Sequence, residues 1–297
     1  MRRFLFLLLL LVNTAIAQKI RIATYQYADN PRIKNLEPLA AGIHARTGLE
    51  TTVVSYPTVQ QFITAIQQGE VELAFINTFG YLLLETAQAS YPMQPSAAMV
   101  STDSTARNYR SAFIVPAASP VKNWKDIVDH AAHSRLALVF SGSTSGNLVP
   151  RLGLTNLGIA DAEKVFQQVT YTGTHASALQ AVLTGSADIA AMGSAEFEKL
   201  TPEQQARLRV IWESPDIPLG PALISTRILA ATSAILANEL RTLHTTDPVA
   251  FNSLKMAWSE SQTATLFIPV TNTYYDPFIE RFGEKKQVFA ILQQFAR

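Results

Sequence analysis

A chain of 297 residues with 48% hydrophobic and 16% charged side chains can bury a substantial core, and its composition is that of a globular protein rather than a disordered one. The 24 basic and 23 acidic residues nearly balance, so no general attraction to nucleic acid or to an anionic membrane surface is expected. Cysteine is absent, which excludes disulfides, a thiolate nucleophile and a lipid-modified cysteine as anchor.

At the N-terminus, Arg2 and Arg3 precede an apolar run from Phe4 to Val12, then Ala15-Ile16-Ala17 and Gln18. This is the layout of a secretory signal peptide cleaved after Ala17. The run is shorter than the about 20 apolar residues that span a bilayer. Residues 1–17 are therefore expected to leave on export to the periplasm. Because Arg2 and Arg3 go with them, the mature chain carries 22 basic against 23 acidic residues and no membrane anchor. Its length favours two domains.

Ile20 and Ile22 alternate with polar residues, predicting a first strand. Leu36, Leu39, Ala40 and Ile43 form one helical face ended at Gly48, and Thr51 to Tyr56 is a β-branched strand. Val59, Phe62, Ile63 and Ile66 make a second helical stripe, stopped at Gly69; Val71 to Ile76 reads as a strand and Phe79 to Ala89 as a helix. Three strand–helix units in succession predict a parallel sheet with right-handed crossovers. A strand from Arg110 to Val115 runs into Pro116, where the chain is expected to cross into a second α/β unit. There, strands are predicted at Arg135 to Phe140, Val165 to Thr170, Ala187 to Met192 and Leu208 to Trp212, with helices from Ser145 and over His175 to Leu183. Ser214 to Pro218 marks the return crossing. Helices at Thr232 to Leu243, Pro248 to Trp258 and Lys285 to Phe295 complete the chain. The expected organisation is thus a discontinuous first lobe, 18–115 with 215–297, and a second lobe, 116–214, with a ligand cleft between them.

Phe140-Ser141-Gly142-Ser143-Thr144-Ser145-Gly146 lies between a predicted strand and a predicted helix. Free backbone N–H groups, the helix dipole and hydroxyl donors make such a junction an anion site without lysine. Ser143 or Ser145 acting only as a helix cap is the competing reading. Pro150, early in the same helix, removes a hydrogen bond. His175, in Tyr171-Thr172-Gly173-Thr174-His175, occupies a second strand-to-helix junction, where it either donates to an oxyanion or caps the helix. Tyr25 and Tyr109 offer hydroxyl donors, or simply pack. Asn77 and Thr78 follow the third strand, on the edge where open α/β sheets hold ligands. Closure is expected to bring them toward the Ser-Thr-Ser turn and His175.

Ser145, His175 and Asp188 supply the side-chain types of a hydrolytic triad, yet threonine stands at the centre of Gly142 to Gly146 where a nucleophile elbow needs serine. An enzyme is therefore not expected. His130 and His133 share a helical face without a third ligand, so no metal is expected, and no Gly-Lys-Ser/Thr loop for nucleotide hydrolysis is present.

Taken together, Ser143-Thr144-Ser145-Gly146 with Leu148-Val149-Pro150, Gly173-Thr174-His175, Gly185-Ser186-Ala187-Asp188 and Ile211-Trp212-Glu213-Ser214-Pro215-Asp216-Ile217-Pro218 resemble the phosphonate and phosphite binding proteins of ABC transporters. The opening strand, the segment Gln68 to Phe75 and the strand beginning at Tyr109 extend the resemblance over nearly the whole mature chain. It implies a type II periplasmic-binding fold, an α/β architecture with the cleft between two lobes joined by two crossings. Ser143, Thr144, Ser145 and His175 would grip phosphorus-bound oxygens with help from Tyr109. No cofactor is implied. The partner would be a permease, or in a sensory variant a membrane receptor kinase. Two departures stand out. Val59 occupies a position where many relatives line the cleft with an aromatic residue, and Gly220 one where binders of aminoethylphosphonate place a carboxylate. Asp216 and Glu196 are the candidates to replace that carboxylate; without one, phosphite, a methyl-type phosphonate or another tetrahedral oxyanion is the expected ligand.

Overall fold

The computed structural model describes residues 19–28, 30–87, 90–105 and 108–294. The segment read as a signal peptide, and the expected helix ends at Ala89 and Phe295, lie outside the described residues.

The chain begins with β1 (Ile20–Tyr25), α1 (Arg32–Thr47), β2 (Thr51–Tyr56), α2 (Val59–Gln68), β3 (Leu73–Phe75) and α3 (Thr78–Glu85). Local chemistry accounts for these boundaries. Gly48 and Gly69 end α1 and α2 in the left-handed region, at φ 73° and 74°, each returning its N–H to a carbonyl of the last turn. Thr58 opens α2 by accepting from Gln61 N–H, and Asn77 opens α3 by accepting from Gly80 N–H. The face of α2 formed by Val59, Phe62, Ile63 and Ile66 is buried, each side chain contributing about 1.5–3 kcal/mol.

β1 pairs in parallel with β2 and β3, as three successive strand–helix units require. The sheet is nevertheless mixed. It continues through β4 (Met93–Val100), β10 (Pro221–Ser225) and β11 (Leu266–Pro269) in the order β11-β4-β10-β3-β1-β2, with β10 antiparallel to both β3 and β4. The residue pattern did not mark these three strands. β4 contains Pro95 and weak strand formers, and it is held by partners on both sides; Pro95 falls at the register shift opposite Leu223, where a missing N–H is tolerated.

The second sheet comprises β5 (Ser111–Pro116), β6 (Arg135–Leu138), β7 (Gln168–Tyr171), β8 (Ile189–Gly193) and β9 (Leu208–Glu213), in the order β7-β6-β8-β5-β9. Around it lie α4 (Ile127–His130), α5 (Val149–Asn156), α6 (Ala162–Val165), α7 (His175–Leu183), α8 (Ala195–Glu198) and α9 (Pro202–Gln205). The remaining helices, α10 (Ala230–Thr246), α11 (Pro248–Lys255), α12 (Asp276–Glu280) and α13 (Lys285–Gln293), follow the return to the first sheet. The boundary expected after Val115 is corrected. β5 pairs antiparallel with β8 and β9, so the chain leaves the first sheet after Val100 and residues 111–116 belong to the second lobe. A strand with bonded neighbours on both sides is part of the sheet, not a linker to it.

The two crossings run side by side. Ile217 N–H donates to Tyr109 O at 2.7 Å and Ser214 N–H to Ser111 O at 2.9 Å, while Asp216 accepts from Arg110 Nε and Asn108 Nδ2, each at 2.6 Å. An apolar cluster joins the lobes at the same level, packing Phe79, Leu82 and Ile217 with Leu148, Val149 and Leu152.

Candidate anion site between the lobes

After β6 the chain turns through Phe140 to Ser143 and enters a π-helical turn, Thr144–Leu148, before α5. Leu148 N–H donates to Ser143 O and Val149 N–H to Thr144 O, the i→i+5 spacing of a π-turn. Pro150 has no N–H for the carbonyl of Gly146, and that carbonyl accepts from Val139 N–H at 3.0 Å instead, which ties the turn back to β6. Gly146 is required by this approach, because a Cβ there would lie 2.2 Å from the Val139 side chain. Asn147 donates to Ser141 O at 2.7 Å and accepts from Arg151 Nε at 2.7 Å, so a nearly buried guanidinium braces the turn from behind.

Ser143, Thr144 and Ser145 are all buried. Ser143 Oγ accepts from Gly146 N–H at 3.0 Å, so the capping reading holds for this serine. Thr144 Oγ1 accepts from Phe79 N–H at 3.0 Å, a bond from the first turn of α3 across to the second lobe. Ser145 Oγ accepts from the Tyr109 hydroxyl at 2.9 Å, and Ser145 O from Ser111 Oγ at 2.7 Å. Asn77 completes the closure by donating to Gly142 O at 2.9 Å. Two helix N-termini, one from each lobe, therefore converge on one buried point, and their N–H groups and dipoles favour negative charge there.

His175 opens α7 behind the cap of Thr174, which accepts from Ser177 N–H. Gly193 N–H donates to His175 Nδ1 at 3.0 Å, so the ring proton sits on Nε2. Burial lowers the His175 pKa to about 4, leaving an uncharged donor at neutral pH. Gly193 stands between the two groups: a Cβ on it would lie 3.4 Å from Ser145 Oγ and 3.8 Å from the His175 ring. Since the folded value lies below the ordinary 6.5, the unfolded chain binds a proton that the folded one refuses between pH 6.5 and 4. The contribution of His175 to stability is complete above pH 6.5 and is lost as the pH falls toward 4, on the order of 3 kcal/mol. Urea titrations across this range should give a steeper loss for the wild type than for His175→Gln. Identical pH slopes would mean that the histidine is not held neutral.

Tyr109, Asn77, Thr144, Ser145 and His175 are thus gathered. Thr78 is near but turned away, its hydroxyl donating to Pro218 O at 2.6 Å. Tyr25 is buried in the apolar cluster that joins the lobes, its ring 6.2 Å from that of Phe62 and beneath the Arg32 guanidinium at 4.5 Å, and it acts electrostatically on Tyr109. The tyrosine that meets the second lobe is Tyr27, with its ring 5.4 Å from Phe140 and 6.3 Å from His175. Burial raises the Tyr27 pKa to about 12, opposed by its hydrogen bond with the His175 backbone. An aromatic residue just past the strand end was its only signal. Asp188 is bound by Arg135 at the opposite end of the strands from the turn, so no triad forms with Ser145 and His175. Glu196 pairs with Lys199 at 2.5 Å while its charge still reaches His175 and Tyr27, and Asp216 is engaged by Arg110 and Asn108. Among the described residues no group of three His, Asp or Glu side chains gathers as for a metal, and no helix is long and apolar enough to cross a membrane.

Two α/β lobes joined by paired crossings, with an anion-favouring point between them, have the type II periplasmic-binding fold. The chain belongs to the family of periplasmic substrate-binding proteins of phosphonate ABC transporters, whose model matches residues 23–275; this is a family of binding proteins, not of enzymes. It is 23% identical over 260 residues to the phosphate-import protein PhnD of Mycolicibacterium smegmatis, covering 81% of this chain and 77% of the relative. Its structure is similar to that of a binding protein component of an ABC phosphonate transporter from Pseudomonas aeruginosa, with TM-score 0.68, 19% identity, and coverage of 93% of this chain and 87% of the other. It is also similar to PhnD1 from Prochlorococcus marinus in complex with methylphosphonate, with TM-score 0.65, 14% identity, and coverage of 89% and 96%.

Proposed function

We propose that this chain, exported through residues 1–17, captures a small tetrahedral phosphorus oxyanion, a phosphonate or phosphite, and delivers it to the permease of an ABC transporter. The oxygens are held by Ser143, Thr144 and Ser145 with the N–H groups of their turn, by His175 Nε2–H and by the Tyr109 hydroxyl. Asn77 and the N-terminus of α3 close over them. The supporting observation is the convergence of two helix N-termini through the bond from Phe79 N–H to Thr144 Oγ1. The relative named for phosphate import and the similar structure holding methylphosphonate point to the same chemistry. Docking to a permease needs only the closed form, so the binding step is the part to test first.

The test is calorimetry and thermal shift on the mature protein with phosphite, phosphate, methylphosphonate, sulfate and acetate. A ligand that binds only the folded state raises the melting temperature by mass action. Micromolar or tighter binding of a phosphorus oxyanion, about −8 kcal/mol or better, is the expected result, with sulfate and acetate far weaker. Silence with every phosphorus compound would refute the reading.

A further inference from the structure

The charged side chains buried among the described residues are Arg32, Arg151 and Glu239. Glu239 is answered by Arg46, at 2.7 Å. The two arginines come from opposite lobes, and each backs residues of the anion site. In the second lobe Arg151 Nε donates at 2.7 Å to Asn147 Oδ1, within the turn that carries Thr144 and Ser145, and Arg151 Nη2 donates to the Tyr171 hydroxyl at 2.9 Å. Its carboxylate partner, Glu163, is half exposed. In the first lobe the Arg32 guanidinium lies over the rings of Tyr25, Tyr27 and Trp258, at 4.5, 5.1 and 5.0 Å. It donates to Ala257 O at 2.8 Å, and among the described residues no carboxylate pairs with it. Two of these rings connect it to the site. The Tyr27 ring is 6.3 Å from that of His175, and Tyr25 acts electrostatically on Tyr109.

A guanidinium buried without a carboxylate is unfavourable unless negative charge comes near it. The groups proposed to touch the oxyanion are hydroxyls, N–H groups and an uncharged imidazole, so none of them carries a full positive charge. Taking the proposed phosphorus-oxyanion function as basis, we infer that Arg32 and Arg151 are the counter-charges of the bound anion, one in each lobe, acting from behind the contacting donors without touching the ligand. Charges act over such distances where packed side chains keep water out. Two acids oppose them: Glu163, paired with Arg151, and Glu260, whose charge reaches Tyr25, Tyr27 and Tyr109. Glu196 and Lys199, which also face His175, act on it in opposite senses.

Amide substitutions remove these charges with little change of shape. In calorimetry with methylphosphonate on the mature protein, Arg32→Gln and Arg151→Gln should each weaken binding about tenfold, the effect of one charge over roughly 10 Å at an effective dielectric constant of about 20. Arg32→Lys, which keeps the charge, should recover most of the loss. Glu163→Gln and Glu260→Gln should tighten binding several-fold, although the first breaks an ion pair and lowers the melting temperature. A purely structural role predicts the opposite sign, because loosening the support of the turn weakens binding. Asp129→Asn, an equal change of charge on the exposed face of α4, measures the effect of net charge alone and should alter affinity less than about twofold. Weaker or unchanged affinity in both acid variants, or a folded Arg32→Gln that binds as tightly as the wild type, would overturn the inference while the oxyanion site stands. If the wild type binds neither methylphosphonate nor phosphite, the function on which the inference rests falls instead.

Discussion

Replacing Ser143, Thr144 and Ser145 together with alanine should weaken phosphonate binding beyond 100-fold while leaving a cooperatively folding protein. Hydrogen bonds to a charged group contribute about 1.5–3 kcal/mol each, so losing three hydroxyls from one buried anion exceeds that factor even if the backbone N–H groups remain. The fold has a cost to meet as well. Ser143 caps its turn, Thr144 Oγ1 is the acceptor for Phe79 N–H, and Ser145 Oγ is the acceptor for Tyr109. Removing buried partners costs about 1–3 kcal/mol apiece, so a melting temperature lower by about 10 °C or more is expected alongside the binding loss. Calorimetry with methylphosphonate and a melting curve on the same sample separate the two effects. Undiminished affinity in a folded triple variant would remove the turn from the site.

A second large effect is expected at Gly220. A Cβ at this position would lie 1.9 Å from Ile76 O and 2.6 Å from Asn77 Cα, both backbone atoms at the end of β3 that cannot swing aside as a side-chain tip could. Gly220→Ala must therefore displace either the start of β10 or the residue that bonds the two lobes through Gly142 O. Overpacking of this kind costs about 1–3 kcal/mol in adaptable cores, and here about 3 kcal/mol or more is expected, with oxyanion affinity falling as Asn77 shifts. Urea unfolding and calorimetry on Gly220→Ala check both parts; a variant with wild-type stability and affinity would show that β10 yields without cost. The same clash explains why a carboxylate cannot be restored here. Gly220→Asp should destabilise the protein rather than confer binding of aminoethylphosphonate.

The features legible in the residue pattern are those whose causes lie within a few positions along the chain. Gly48 and Gly69 end helices by adopting a conformation other residues avoid, and Asn77, Ser143 and Thr174 cap helices through bonds three residues away. Such local bonds form whatever the rest of the chain does, so the strand–turn–helix character of 135–149 and the parallel β2-β1-β3 core could be read directly. β4 could not. Met93 to Val100 has little strand preference of its own, and becomes a strand because β10 and β11, over 100 residues away, supply its hydrogen bonds. The place where β5 belongs was misjudged for the same reason: Pro116 looks like the start of a linker until β9 pairs beside it through Arg209 and Leu208.

At the site the division is similar. An anion-favouring turn at Gly142 to Gly146 and a histidine at a neighbouring helix start are legible in the residues alone, because caps, dipoles and glycine conformations are local properties. The packing of the two lobes brings Phe79 N–H to Thr144, has Gly193 hold His175 as an uncharged Nε2 donor, and engages Asp216 at the crossings. It also set Tyr27 against Phe140 of the second lobe. Each of these depends on distances between groups 18 to 113 residues apart, set by how the two sheets come together and not by any spacing along the chain.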